Sequence, residues 1–238
     1  HFTMDDNLSL SEEIKARYRS MYTGVFFKRY ILGLWAMAEG IIYDMFDADK
    51  HVQKITDFFR CLKDGGRYVS CDYGTQNATV FLLWNKGNNG KWYCVREYYY
   101  SGRAKGKQKT DGEYADDFEK WLDGVPIRAV IVDPAAASFI AELRKRGYRV
   151  LKADNDVEDG IREGASMLNM GLLVFCDTCI NTIMEFGSYI WDEKAAQQGE
   201  DRPVKENDHA MDAVRYFVYT ILSKRTGRVK NKAKYGFD

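Results

Sequence analysis

Residues 67–100 read RYVSCDYGTQNATVFLLWNKGNNGKWYCVREYYY, three apolar runs separated by two short turns. RYVSCDYG predicts a strand ending in a turn, ATVFLLWN a second strand, and KWYCVREYYY a third. Between the last two lies NKGNNG, rich in the glycine and asparagine that tight hairpins require. Strands linked this closely run antiparallel. Downstream the period changes. Residues 113–122 predict a helix and RAVIVD (128–133) a buried strand with a nearly continuous apolar run. AAASFIAELRKRG is a helix stopped by Gly147, and YRVLKAD is a further strand. Residues 156–170 are helical, LLVF (172–175) is short and apolar, 177–189 is helical with Asp177 as N-cap, and 206–224 is a long final helix. Three antiparallel strands followed by alternating helix and strand predict an α/β fold, a mixed sheet with helices on both faces. Ligands of such sheets gather at the carboxyl ends of strands.

Ahead of this core, residues 1–62 read as an approach segment that packs on the domain. SLSEEIKARYRSMYTG places Ser9 or Ser11 before acidic residues and keeps helical spacing up to Gly24. The expected division is therefore 1–62 as approach segment, 63–225 as the folded domain, and 226–238 as a basic tail. An initial His where Met is expected suggests a fragment of a longer protein.

The 238 residues, 45% hydrophobic and 14% aromatic with only three prolines, exclude disordered and collagen-like classes. The longest apolar stretch, residues 31–38, is less than half of the ~18 residues a membrane span needs. No membrane partner is expected. Net charge is zero, with 35 basic and 35 acidic residues, so no global field attracts nucleic acid. Locally the charges segregate: residues 91–109 hold six basic and one acidic residue, and 224–238 repeat that ratio. Such blocks read as solvated faces or as local phosphate contacts. The five cysteines, odd in number and mostly within apolar stretches, fit reduced buried thiols. Cys176 and Cys179 form a lone CxxC without a second pair at zinc spacing.

The chemistry lies in carboxylates at strand ends. Asp72 terminates the first strand before Tyr73-Gly74, and Asp133 terminates the fourth, before Pro134. If those strands are sheet neighbours, both acids emerge at one end and need a compensating cation. Oxygen ligands of this type suit Mg²⁺ or Mn²⁺. Alternatively, Asp133 is a helix N-cap with proline at N1, and Asp72 is an ordinary turn residue. The third element is ENDHAMDAVRYFVYTI, where Asp208 and Asp212 stand at i,i+4 and His209 and Asp212 at i,i+3. One helix face thus carries two acids and an imidazole, while Ala213, Val214, Phe217, Val218 and Ile221 supply packing. This points to metal ligation.

DYGTQN, IVDPAAASF and NDHAMDAVRY resemble the nuclease domain of phage terminase large subunits, a member of the RNase H-like superfamily. HFTMDDN, GIIY at 40–43, VEDGI at 157–161 and YIWD at 189–192 extend the similarity over nearly the whole chain. DHAMDAVRY is the most specific of these signals; IVDP alone is weak. The resemblance implies a metal-dependent endonuclease that cuts concatemeric viral double-stranded DNA during genome packaging, with little sequence specificity. It implies Asp72, Asp133 and Asp212 as catalytic metal-binding acids and His209 as a further ligand or near neighbour. Two divalent ions, Mn²⁺ or Mg²⁺, held ~3.5–4 Å apart would stabilise the attacking water and the leaving oxygen. Neutralising any one of the acids is expected to abolish cleavage without loss of stability, because clustered anions repel.

No G-x-x-x-x-G-K-[ST] occurs in the chain. The resemblance therefore implies an ATPase motor domain elsewhere in the full-length protein, with a small terminase subunit and a portal as partners, in the cytoplasm of an infected host. Lys105, Lys107 and Lys109, beside Tyr98, Tyr99 and Tyr100, are candidate DNA contacts. Glu185 is either an orienting residue behind the ligands or a solvated helix glutamate. Asp154 and Asp156 read as caps of the following helix. The alternatives are another RNase H-like nuclease of resolvase or transposase type, or a non-catalytic DNA- or portal-binding module.

Overall fold

A computed structural model describes residues 3–75 and 77–223. Seven strands, β1 (Val52–Gln53), β2 (Tyr68–Asp72), β3 (Ala78–Lys86), β4 (Trp92–Ser101), β5 (Ala129–Val132), β6 (Val150–Lys152) and β7 (Leu173–Cys176), form one sheet in the order β1-β7-β4-β3-β2-β5-β6. The pairs β2–β3 and β3–β4 are antiparallel, and β2–β5, β5–β6, β4–β7 and β1–β7 are parallel. This is the expected mixed sheet.

Helices α1 (Glu12–Met21) and α2 (Gly24–Tyr30) precede the sheet, and the short α3 (Ala48–His51) and α4 (Ile55–Phe58) flank β1. The one-turn α5 (Gly102–Lys105) and then α6 (Asp111–Leu122) follow β4, α7 (Ala137–Lys145) follows β5, and α8 (Val157–Asn169) follows β6. After β7 come α9 (Ile180–Ser188), α10 (Glu193–Gln197) and α11 (His209–Phe217), continued by a π turn over Val218–Leu222.

Why β3 is central follows from its side chains. Val80, Leu82 and Trp84 belong to one apolar core and Phe81 and Leu83 to the other, the period of two that a strand covered on both faces needs. On the first face, Phe217 of α11 stacks on Trp84 with ring centroids 4.3 Å apart. On the second, Phe118 of α6 and Phe139 of α7 close over Phe81. Of the packing residues read from the last helix, Ala213, Val214, Phe217 and Val218 are fully buried, and Ile221 packs partly buried against the core.

The residues before 63 do more than approach. Val52–Gln53 joins the sheet edge beside β7, and Phe26, Ile42, Tyr43 and Phe58 enter the first core. Ser11 caps α1 by accepting from the Ile14 amide, 3.3 Å away. Several boundaries differ from the expectation. α9 begins at Ile180 rather than at Asp177, and α7 begins at Ala137, so Asp133 is not its N-cap. α11 begins at His209 rather than near 206, because Asn207 adopts a left-handed backbone (φ 50°) that no helix continues through. All five cysteines are free and four are buried. Among the described residues, no helix is long and apolar enough to cross a membrane. The basic tail, 226–238, lies outside the described residues.

Candidate metal centre

β2 and β5 run parallel with Cys71 opposite Val132, so the residues that follow, Asp72 and Asp133, leave the sheet side by side at its carboxyl end. α11 packs across β2 and points its first turn at that end. Asp72, Asp133, Asp208, His209 and Asp212 all line one cavity of about 390 Å³, together with Lys205, Arg215 and Tyr216. Four acids and an imidazole from three distant stretches of sequence thus meet in one place.

Each acid already has a partner. His209 Nδ1 lies 3.0 Å from Asp72 Oδ2. Tyr216 donates to Asp133 Oδ2 at 2.7 Å, and the other Asp133 oxygen accepts from the Ala135 amide at 2.7 Å. Asp212 Oδ1 accepts from the Arg215 guanidinium at 2.8 Å, and Lys205 donates to Asp212 Oδ2 at 3.3 Å. Lys205 Nζ also stands 3.0 Å from Asp208 Oδ2, an ionic contact without hydrogen-bond alignment.

Burial dominates the electrostatics. It pushes the Asp72 carboxyl up to about 6; hydrogen bonding to His209 opposes this, and the charges of Asp212 and Asp208 add to it. For His209, burial disfavours the imidazolium, yet the hydrogen bond and charge of Asp72 outweigh it and hold the pKa above its ordinary value. Burial first, and the neighbouring charges of Asp212 and Asp208 after it, thus disfavour the ionised form of Asp72. Carboxylate oxygens with one imidazole suit a hard divalent ion, so the donor types fit a metal. Among the described residues, however, no three His, Cys, Asp or Glu side chains converge on one ion-sized point. The acids are drawn toward Lys205, Arg215 and Tyr216 instead.

Behind the site, carboxylates cap helices across the fold. Glu97 of β4 accepts from the Asn181 and Thr182 amides and from both of their side chains, and so starts α9. That explains the absence of a local cap at Asp177. Glu185 of α9, only 4% exposed, accepts from the Ala210 and Met211 amides at 2.7 and 3.2 Å and from the Tyr99 hydroxyl at 2.8 Å. It is therefore not a solvated helix residue; it holds the first turn of α11, where His209 and Asp212 sit. Burial pushes its carboxyl up to about 7, against the hydrogen bonds it accepts. Asp156 caps α8 as expected, accepting from Asp159 N at 2.9 Å.

Arg215 is the residue that sequence reading passed over. It is 2% exposed, and its guanidinium also donates to the Asn155 carbonyl at 2.8 Å. Its stem crosses α8 at Gly160, where a Cβ would stand 2.5 Å from Arg215 Cγ. The glycine of VEDGI is thus fitted to the arginine of DAVRY. The lysines of the predicted DNA segment separate: Lys105 is exposed, Lys107 is exposed but 3.6 Å from Glu113, and Lys109 is tied to Asp117 and covers the Tyr100 ring at 4.0 Å.

The mixed seven-stranded sheet with its helices is a fold of the RNase H-like kind. No family model matches the chain. The large terminase of the thermophilic bacteriophage D6E, solved in complex with ADP, superimposes with a TM-score of 0.88 at 57% identity, over 93% of this chain and 55% of that one. The large terminase subunit of Escherichia phage T5 is 26% identical over 197 residues, 79% of this chain and 43% of its own length. The nuclease domain of the SPP1 large terminase, solved with bound Mn, shares the fold at 17% identity, with a TM-score of 0.53 over 76% of this chain and all of that one. This chain spans about half the length of the full-length relatives it matches. Within the RNase H-like class, it stands with the phage large-terminase nuclease domains.

Proposed function

We propose that the chain is a metal-dependent endodeoxyribonuclease that cleaves concatemeric viral DNA as genomes are packaged. The supporting observation is the convergence of Asp72 and Asp133, adjacent on parallel strands, with His209 and Asp212 on one cavity. In this reading Asp72, Asp133, Asp212 and His209 hold two divalent ions, Mn²⁺ or Mg²⁺, as the manganese bound to the SPP1 domain suggests. Bound there, the ions supply positive charge for the phosphodiester oxygens and lower the pKa of water.

The chain's own residues set the geometry. The β2–β5 register fixes the spacing of Asp72 and Asp133, and Glu185 fixes where α11 begins. Tyr216 orients Asp133 through its hydroxyl. Lys105 and Lys107 contact phosphates of double-stranded DNA, which gives binding without sequence preference. In the full-length protein the domain works beside an ATPase motor, with a small terminase subunit and a portal, in the host cytoplasm.

The test is a purified chain mixed with plasmid in Mn²⁺, Mg²⁺, Ca²⁺ or EDTA and read on a gel. Cleavage with Mn²⁺ or Mg²⁺ and none in EDTA is expected. Absence of cleavage with both ions, or cleavage that persists in EDTA, rejects the reading.

A further inference from the structure

We propose that Lys205 is a built-in counter-ion for Asp208 and Asp212, which a divalent ion must displace before Asp212 can act as a ligand. The proposal rests on the metal-nuclease reading above. Its basis is a difference between the two cations that share Asp212. Arg215 holds Oδ1 with a side chain 3% exposed, also bonded to the Asn155 carbonyl and threaded past Gly160. Lys205 holds Oδ2 with a side chain 64% exposed, from the loop that precedes α11. Removing Arg215 from Oδ1 would unpack the interior. Freeing Oδ2 needs only the rotation of one flexible, solvent-facing stem.

Asp208 strengthens the case. It is 4% exposed, and its Oδ2 makes no aligned hydrogen bond, yet the Lys205 ammonium is 3.0 Å away. A buried carboxylate compensated by charge alone, without directional bonding, exchanges one cation for another at little cost in geometry. Lys205 and a divalent ion cannot both occupy the face of Asp212 Oδ2, because like charges a few ångströms apart repel strongly at low dielectric. Lys205 also lines a second cavity, of about 330 Å³, together with Asn77, Ser101, Arg103 and Glu206. That cavity is open to the displaced ammonium.

The experiment titrates the whole chain with Mn²⁺ and follows free Mn²⁺ by electron paramagnetic resonance, without DNA, for wild type, Lys205→Ala, Lys205→Gln and Lys205→Arg. Lys205→Ala and Lys205→Gln should bind Mn²⁺ about tenfold tighter, ~1.4 kcal/mol, while Lys205→Arg stays near wild type. In EDTA, both neutral variants should melt below wild type and gain more from added Mn²⁺, since Asp208 and Asp212 then lack their counter-ion. Equal or weaker affinity in both neutral variants, with wild type binding normally, overturns the role of Lys205 and leaves the nuclease reading intact. No uptake of Mn²⁺ by wild type at millimolar concentration overturns both.

Discussion

His209 Nδ1 lies 3.0 Å from Asp72 Oδ2, so the first residue of α11 closes on the last residue of β2 from 137 positions away. Both groups hold a proton more tightly than usual, Asp72 to about 6 and His209 above its ordinary value. To serve as ligands both must give those protons up.

Cleavage should therefore decline as pH falls, beginning above the ~6.5 of a free imidazole and continuing through the Asp72 value of about 6. Mn²⁺ takes nitrogen ligands more readily than Mg²⁺. Wild type should prefer Mn²⁺, and His209→Ala should lose a larger fraction of its rate in Mn²⁺. Initial rates in the two metals decide this; equal fractional losses remove His209 from the ligand set.

Asp72→Asn, Asp133→Asn and Asp212→Asn should each abolish cleavage, but their stabilities should differ. Asp72→Asn removes a buried carboxylate that resists ionisation, so the metal-free protein should melt at or above the wild-type temperature at pH 7.5. Asp133→Asn keeps an acceptor for Tyr216 and should cost little. Asp212→Asn leaves the buried Arg215 without its charge partner, and a broken buried pair costs ~3–5 kcal/mol, or roughly 6–20 °C in Tm. Calorimetry in EDTA separates the three; equal melting temperatures would contradict this assignment of partners.

Glu185 gives a pH signature of its own. Its folded-state pKa, about 7, exceeds the 4.5 of an unperturbed glutamate, so the folded state binds the proton more tightly than the unfolded chain does. Its contribution is full below 4.5 and is lost as pH rises through 7, an effect on the order of 3 kcal/mol. Glu185→Gln should flatten the fall in stability between pH 5 and 8. Denaturant melts across that range test it, and a slope identical to wild type would mean that the carboxyl titrates normally.

Neutralising Lys105 and Lys107 together should reduce the magnitude of the log K against log salt slope for DNA by about 1–2, near 0.9 per phosphate lost. Lys109 should not contribute to that change, because it is engaged with Asp117; its replacement should lower stability instead. Binding measured in Ca²⁺ across a salt series reads both effects. A slope unmoved by the double variant would place this segment away from the DNA.

Much of the fold was legible because its signals are local. The period of two in ATVFLLWN, the hairpin loop NKGNNG and the terminal aspartates of RYVSCD and RAVIVD each report within a few residues. The adjacency of Asp72 and Asp133 also follows once β2 and β5 are neighbours. What could not be read was every contact that joins distant segments. Glu97 caps a helix 84 residues further on, and Glu185 caps one 25 residues on, so the starts of α9 and α11 carry no local mark. Lys205 sat within an unremarkable polar loop. Arg215 stood inside the most specific motif, where its i,i+3 spacing from Asp212 was the available signal.

The pairing of Cys71 with Val132 makes the separation of the two strand-end acids a matter of whole steps. Backbone hydrogen bonds admit only integer registers, each worth ~3.3 Å along the strand and a change of face for every side chain. Natural variation can lengthen the loops around this domain freely. A single residue gained or lost within β2 or β5, by contrast, would carry one acid to the wrong side of the sheet. The distance between Asp72 and Asp133 is thus inherited as a count rather than tuned as a length, and insertions in this lineage should avoid these two strands.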